Sequence, residues 1–120
     1  MKLVHVTIAV KNMEESLGFY QNIIGLPITR RFSPNPDAEI VFLAEGETAI
    51  ELIWNKSRAD ISIGADISLG FEVASLDDTI EMLKKNGIAP GEISQPNPQV
   101  KFFFVNDPNG VRVQFVENVH

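Results

Sequence analysis

Four polar residues interrupt apolar stretches of this chain at matched positions. His5 and Glu51 lie in its first half, and Ser68 and Gln114 lie 63 positions further on (68 − 5 and 114 − 51). An imidazole and a carboxylate brought together can hold a divalent cation or move a proton. A hydroxyl and a primary amide are weaker donors, and neither takes up a proton at neutral pH. Glu51 is the most informative of the four. Flanked by Ile50, Leu52 and Ile53, its carboxylate is costly to bury unless it is paired, hydrogen-bonded or bound to a metal. The plainer alternative is a partly solvated glutamate bonded to a neighbouring strand, with His5 a rim histidine. The coincidence of both residues with a repeat favours a joint role.

The repeat itself spans the chain. Leu3–Met13 has its counterpart in Asp66–Leu76, Ala49–Ile53 in Arg112–Val116, and Pro34-Asn35-Pro36 recurs literally as Pro96-Asn97-Pro98. Such self-similarity decides architecture before any local pattern does. Each copy reads strand, helix, strand, strand, strand.

In the first copy residues 3–10 alternate, with Val4, Val6, Ile8 and Val10 on one face and Leu3, His5, Thr7 and Ala9 on the other. Asn12 caps a helix with Glu15 in the capping-box position, and Met13, Leu17, Tyr20 and Ile24 form its buried stripe. Gly25 ends this helix and Pro27 prevents its resumption. Extended segments follow near 28–33, 39–44 and 48–54, parted by Pro-Asn-Pro and Glu-Gly-Glu turns.

In the second copy residues 67–73 alternate, Ser75 caps a helix with the stripe Leu76, Ile80 and Leu83, and Gly87 closes it. Strands near 91–95, 100–105 and 111–117 complete the unit, with a turn at Asp107-Pro108-Asn109-Gly110. Module one is therefore 1–54, the linker 55–65 and module two 66–120, within a single domain. The alternation turns His5, Glu51, Ser68 and Gln114 away from the helices, onto a face that is concave if each sheet curls. Phe102 and Phe104 share one face and Phe103 takes the other.

Composition limits the chemistry. A chain of 120 residues, 44% hydrophobic and 22% charged, is ordinary for one soluble domain. With no cysteine there is no disulfide, thiolate metal site or cysteine nucleophile. The net charge of −6 and scattered Lys and Arg give no basic stripe for nucleic acid. No apolar window reaches the length of a membrane span and no signal-peptide pattern opens the chain, so a cytoplasmic location is expected. Phosphate loops and dinucleotide fingerprints are missing. Iron dioxygenase chemistry needs two histidines with a carboxylate, and the second histidine is the terminal His120. A Ser68/His5 nucleophilic pair lacks an orienting Asp and a nucleophile turn. Arg30 or Arg112 can hold an anionic group, against the simpler role of a solvated surface charge.

The segments His5-Val-Thr-Ile-Ala-Val10, Phe19-Tyr20-Gln-Asn-Ile-Ile-Gly25-Leu26, Ala49-Ile-Glu51-Leu52, Leu69-Gly-Phe-Glu-Val73 and Asp107-Pro-Asn-Gly-Val-Arg-Val-Gln-Phe-Val-Glu117 together resemble the vicinal-oxygen-chelate superfamily. That superfamily includes glyoxalase I (lactoylglutathione lyase) and the bleomycin-resistance proteins, and the likeness covers essentially the whole chain. It implies an α+β fold of two tandem βαβββ modules forming a cupped, partly closed mixed sheet around a metal. Carried over position by position, it makes His5 the first-strand ligand and Glu51 the second. Ser68 stands where a His is expected and Gln114 where a Glu is expected.

The resemblance thus implies a degenerate metal site of His5, Glu51 and Gln114, with Glu51 as the catalytic base and Ser68 and Arg112 elsewhere in the pocket. One charge and one imidazole bind nickel, zinc or cobalt only weakly. The implied activity is a metal-dependent lyase or isomerase on a small vicinal-oxygen substrate such as a hemithioacetal. The alternative is a metal-free binding protein that sequesters a small apolar or cationic ligand. Either implies a small-molecule partner and a homodimer.

Overall fold

The computed structural model describes residues 1–58 and 60–118, so His120 lies outside the described residues. Its backbone divides into two compact units, with the boundary between Ser62 and Ile63.

In the first unit β1 (His5–Ala9) leads into α1 (Met13–Leu17), followed by β2 (Ile28–Asn35), β3 (Ala38–Leu43) and β4 (Ala49–Asn55). The sheet order is β1-β4-β3-β2, with β1 parallel to β4 and the other pairs antiparallel. The second unit repeats this plan. β5 (Ser68–Glu72), α2 (Leu76–Lys85), β6 (Ser94–Asn97), β7 (Val100–Asn106) and β8 (Arg112–Asn118) form a sheet of order β5-β8-β7-β6. The fold class is α+β, as the resemblance implied.

The helix starts follow the expected chemistry. The Asn12 carboxamide oxygen accepts from the Glu15 N–H at 3.0 Å, and the Ser75 hydroxyl accepts from the Asp78 N–H at 3.2 Å. Gly25, Gly87 and Gly110 take positive φ at the turns they close. The first helix departs from expectation, because after Leu17 it widens into a π-helical segment, Gly18–Ile23. The Ile24 N–H there donates to the Phe19 carbonyl five residues back. The wider turn lets two successive rings, Phe19 and Tyr20, bury together at 3% and 0% exposure, edge to face at 4.9 Å.

Behind the first sheet the core is built from Met13, Leu17, Val41, Leu43, Ile50 and Leu52; behind the second, from Leu76, Leu83, Phe103, Val113 and Phe115. Val4 and Ile67 were expected on these apolar faces and are instead exposed, because each precedes the first residue of its strand. Both Pro-Asn-Pro motifs place their first two residues on a strand and only the last proline in the turn. Asn35 accepts from the Asp37 N–H, and Asn97 accepts from the Gln99 N–H. The segment expected as a strand from 91 begins its ladder only at Ser94.

Candidate functional site

Strand register brings the first unit's polar residues into rows across the face away from α1. Glu51 on β4 pairs with Thr7 on β1 and with Phe42 on β3, and Phe42 pairs with Arg30 on β2. The Thr7 hydroxyl donates to Glu51 Oε1 at 2.5 Å. His5, two residues before Thr7 and on the same face, holds its Nε2 3.7 Å from that oxygen. This gap exceeds hydrogen-bond length, so the imidazole and carboxylate face one another without being bonded. The His5 ring meets Phe42 edge to face at 5.8 Å and 78°.

Exposure separates the roles of this pair. The Glu51 side chain is 13% exposed and that of His5 42%. A carboxylate so enclosed needs a donor, and Thr7 supplies one. Thr7 was legible only as a neighbour of His5 on the alternating strand; its hydrogen bond depends on the parallel β1–β4 register, which spacing alone does not set.

In the second unit Gln114 on β8 pairs with Gly70 on β5 and with Phe104 on β7. A Cβ built on Gly70 would lie 3.3 Å from Gln114 Oε1, so the amide lies over the bare glycine. Ser68 is exposed and pairs with Arg112, whose guanidinium stacks over Phe104 at 3.9 Å from the ring centroid. The structure thus brings His5 together with Glu51, and Arg112 together with the Gln114 row.

Two neighbouring arginines of β2 are treated very differently. The Arg31 guanidinium bonds Glu14 of α1 at 2.7 Å and Glu39 of β3 at 3.0 Å. Those hydrogen bonds, Glu14's first, hold Arg31 more firmly protonated than an isolated guanidinium. Arg30 points to the opposite face, over Phe32 at 4.5 Å and Phe42 at 6.0 Å.

The donor set can be judged against a divalent ion. Ligand atoms sharing a zinc-like ion sit about 3–3.5 Å apart, given bonds near 2.0–2.2 Å. The 3.7 Å between His5 Nε2 and Glu51 Oε1 is within a small side-chain rotation of that span. These two donors fit one edge of a coordination sphere. Among the described residues no group of three or more His, Cys, Asp or Glu gathers, so the strong protein donors number two.

A fold of paired βαβββ units with an imidazole and a carboxylate on one sheet face defines the class. The family model of the glyoxalase/bleomycin resistance protein/dioxygenase superfamily matches residues 2–115, and this chain belongs to that superfamily. Among its relatives, the lactoylglutathione lyase of Neisseria meningitidis serogroup A is 30% identical over 129 residues, covering 98% of this chain and 91% of that protein. The lactoylglutathione lyase of Haemophilus influenzae is 30% identical over 132 residues, covering 98% and 93%. A glyoxalase family protein from Bacillus cereus superposes with a TM-score of 0.84 at 17% identity, over 100% of this chain and 95% of that one. The trypanothione-dependent glyoxalase I of Leishmania major gives 0.82 at 20% identity, over 98% and 86%. The structural likenesses carry the fold; the lyases carry the sequence relationship. No helix among the described residues is long and apolar enough to cross a membrane.

Proposed function

We propose that this chain is a glyoxalase-I-like lyase or isomerase acting on a small vicinal-oxygen substrate such as a hemithioacetal, with a degenerate, weakly binding metal site. The observation that carries this reading is the His5–Glu51 pair, 3.7 Å apart on a sheet face with Thr7 fixing the carboxylate. Near-full-length similarity to lactoylglutathione lyases supports the reaction class.

The chemistry asked of these residues is a proton moved between adjacent carbons. The Thr7 hydroxyl donates to one lone pair of Glu51 Oε1 and fixes the plane of the carboxylate, leaving that oxygen's other lone pair open. Oε2 then takes the proton from the hydroxyl-bearing carbon of a hemithioacetal and returns it to the neighbouring carbonyl carbon. The hydroxyl proton passes to the former carbonyl oxygen, and the product is a 2-hydroxy thioester isomeric with the substrate. His5 and Glu51 would hold a divalent ion, nickel, zinc or cobalt, which when bound stabilises negative charge on the substrate oxygens. The same reading carries a single glyoxalase-like domain working as a cytoplasmic homodimer.

The test is turnover of a hemithioacetal by protein purified without chelators, with nickel, zinc or cobalt added in turn. Measurable isomerisation that falls about 10²–10⁴-fold in Glu51→Gln is expected. If no metal elicits turnover and the protein instead binds small apolar or cationic ligands tightly, the sequestering alternative takes over.

A further inference from the structure

We infer that Arg30 is a specificity-determining residue that anchors a carboxylate of the substrate, at the far end of the sheet row from Thr7 and Glu51. The inference rests on the proposed lyase reading for the reacting end of that substrate.

The register of β2 is the first observation. Ile28 pairs with Leu43 but Arg30 pairs with Phe42, so one extra residue, Thr29, is accommodated on β2. In a regular antiparallel ladder Thr29 would face Phe42, and Arg30 would turn to the helix side beside Val41. The bulge reverses this. Arg30 comes to the face that carries Phe42 and Glu51, and Arg31 goes to the side where Glu14 of α1 receives it. Bulges next to sites re-aim side chains in this way.

The second observation is charge. In a chain of net charge −6, Arg31 binds two carboxylates while Arg30 has no ion pair among the described residues. Its guanidinium rests on the Phe32 and Phe42 rings, which support its plane without using its edge donors. A guanidinium so braced, with its fork open, matches a carboxylate bidentately. A dianionic phosphate fits less well, since one cation must offset two charges on the face that carries Glu51.

The third is distance. Arg30 and Glu51 are separated by two inter-strand steps, on the order of 9–10 Å between their backbones. The ligand is therefore a carboxylate on a flexible arm of several atoms, lying across Phe42, with its reacting carbons toward Glu51.

The test compares hemithioacetals of one 2-oxoaldehyde with mercaptohexanoate and with uncharged mercaptohexanol. The native protein should show a KM about tenfold or more lower for the carboxylate adduct at similar kcat, as a charge-assisted hydrogen bond supplies. In Arg30→Met that preference disappears through KM, Arg30→Lys restores part of it, and the surface control Lys84→Met retains it. Direct binding of mercaptohexanoate alone, followed at the Arg30 side-chain NMR signals, supplies a readout independent of turnover. Arg30-dependent binding without turnover of either adduct retires the lyase reading and leaves this assignment standing. Equal KM values for the two adducts, an unchanged preference in Arg30→Met, binding that does not depend on Arg30, or stronger binding of inorganic phosphate than of the carboxylate overturns it.

Discussion

The two halves of this molecule share a strand order and a register but differ in chemistry. In the first, the row Thr7–Glu51–Phe42–Arg30 reads hydroxyl, carboxylate, ring, guanidinium. In the second, Gly70–Gln114–Phe104 reads bare backbone, amide, ring. The ring persists at corresponding places, and an arginine covers each one, from β2 in the first unit and from β8 in the second. What packs against the helices is apolar in both, because those faces must be buried for either unit to fold. The opposite faces diverged in their polar chemistry. A duplicated scaffold lets one half carry an imidazole and a carboxylate where the other carries a hydroxyl and an amide.

The largest difference that can be broken is at Gly91. Its counterpart 62 positions earlier (91 − 29) is Thr29, the extra residue of the β2 bulge, whose hydroxyl donates to the Phe42 carbonyl at 3.3 Å. Gly91 instead brings its own backbone N–H to the Phe104 carbonyl at 3.0 Å. A Cβ there would sit 2.6 Å from that carbonyl oxygen, and a backbone atom cannot swing aside. Gly91→Ala should lower stability by about 2–3 kcal/mol, within the range for overpacking. The measurement is a urea melt with an unchanged m-value. A loss below roughly 0.5 kcal/mol would mean that the backbone relaxes freely, and that the two units meet their rings in interchangeable ways.

The chemical difference can be erased instead of broken. Ser68→His together with Gln114→Glu would give β5 and β8 the imidazole and carboxylate that β1 and β4 carry, on strands paired in the same register. Gly70 provides no hydroxyl to orient the new carboxylate, but its bareness leaves room for one. Affinity of the whole protein for nickel or zinc, titrated by calorimetry, should rise at least about tenfold, or ~1.4 kcal/mol. Unchanged affinity would show that matching register does not make matching donor geometry.

Much of this was legible in the sequence because the relevant rules are local or periodic. Alternation across 3–10 and 48–54 was enough to expect His5 and Glu51 on one face, and they lie 3.7 Å apart. The caps at Asn12 and Ser75 were readable from residue type. The bulge at Thr29 was not, since Thr29-Arg30-Arg31 has no apolar alternation whose phase could slip. Which arginine faces Phe42 is decided by pairing with β3, a non-local event. The π-helical turn escaped for a related reason. An α-helical stripe through Met13, Leu17, Tyr20 and Ile24 looks complete without Phe19, and burial of Phe19 beside Tyr20 demands the wider winding. Ser94 opens its strand later than alternation suggested because Gly91 already spends its N–H on Phe104 outside the regular ladder.

The smallest effect tests whether the two helices depend equally on their caps. Asn12 and Ser75 each accept one N–H three residues ahead, so removal of either oxygen should cost about 1 kcal/mol. The helices they start are not equivalent. The N–H of Leu76, the first residue of α2, donates to Glu117 Oε1 at 2.6 Å, and the other oxygen of Glu117 lies 3.8 Å from Lys101 Nζ. That carboxylate reaches α2 from β8 and also complements the positive end of the helix dipole. At the first helix Arg31 ties down Glu14 from β2, but through side chains alone. Ser75→Ala should therefore cost less than Asn12→Ala, because Glu117 still anchors the start of α2. Asn12→Ala leaves α1, five residues long before its winding changes, without its side-chain cap. Thermal melts of the two variants, of Glu117→Ala, and of Ser75→Ala with Glu117→Ala give the answer. The double change should exceed the sum of its single changes by roughly 0.5 kcal/mol or more, as neighbouring groups on one helix end do. Strict additivity would mean that Ser75 and Glu117 hold different parts of the structure, and that the two helix starts are as alike as their strand registers.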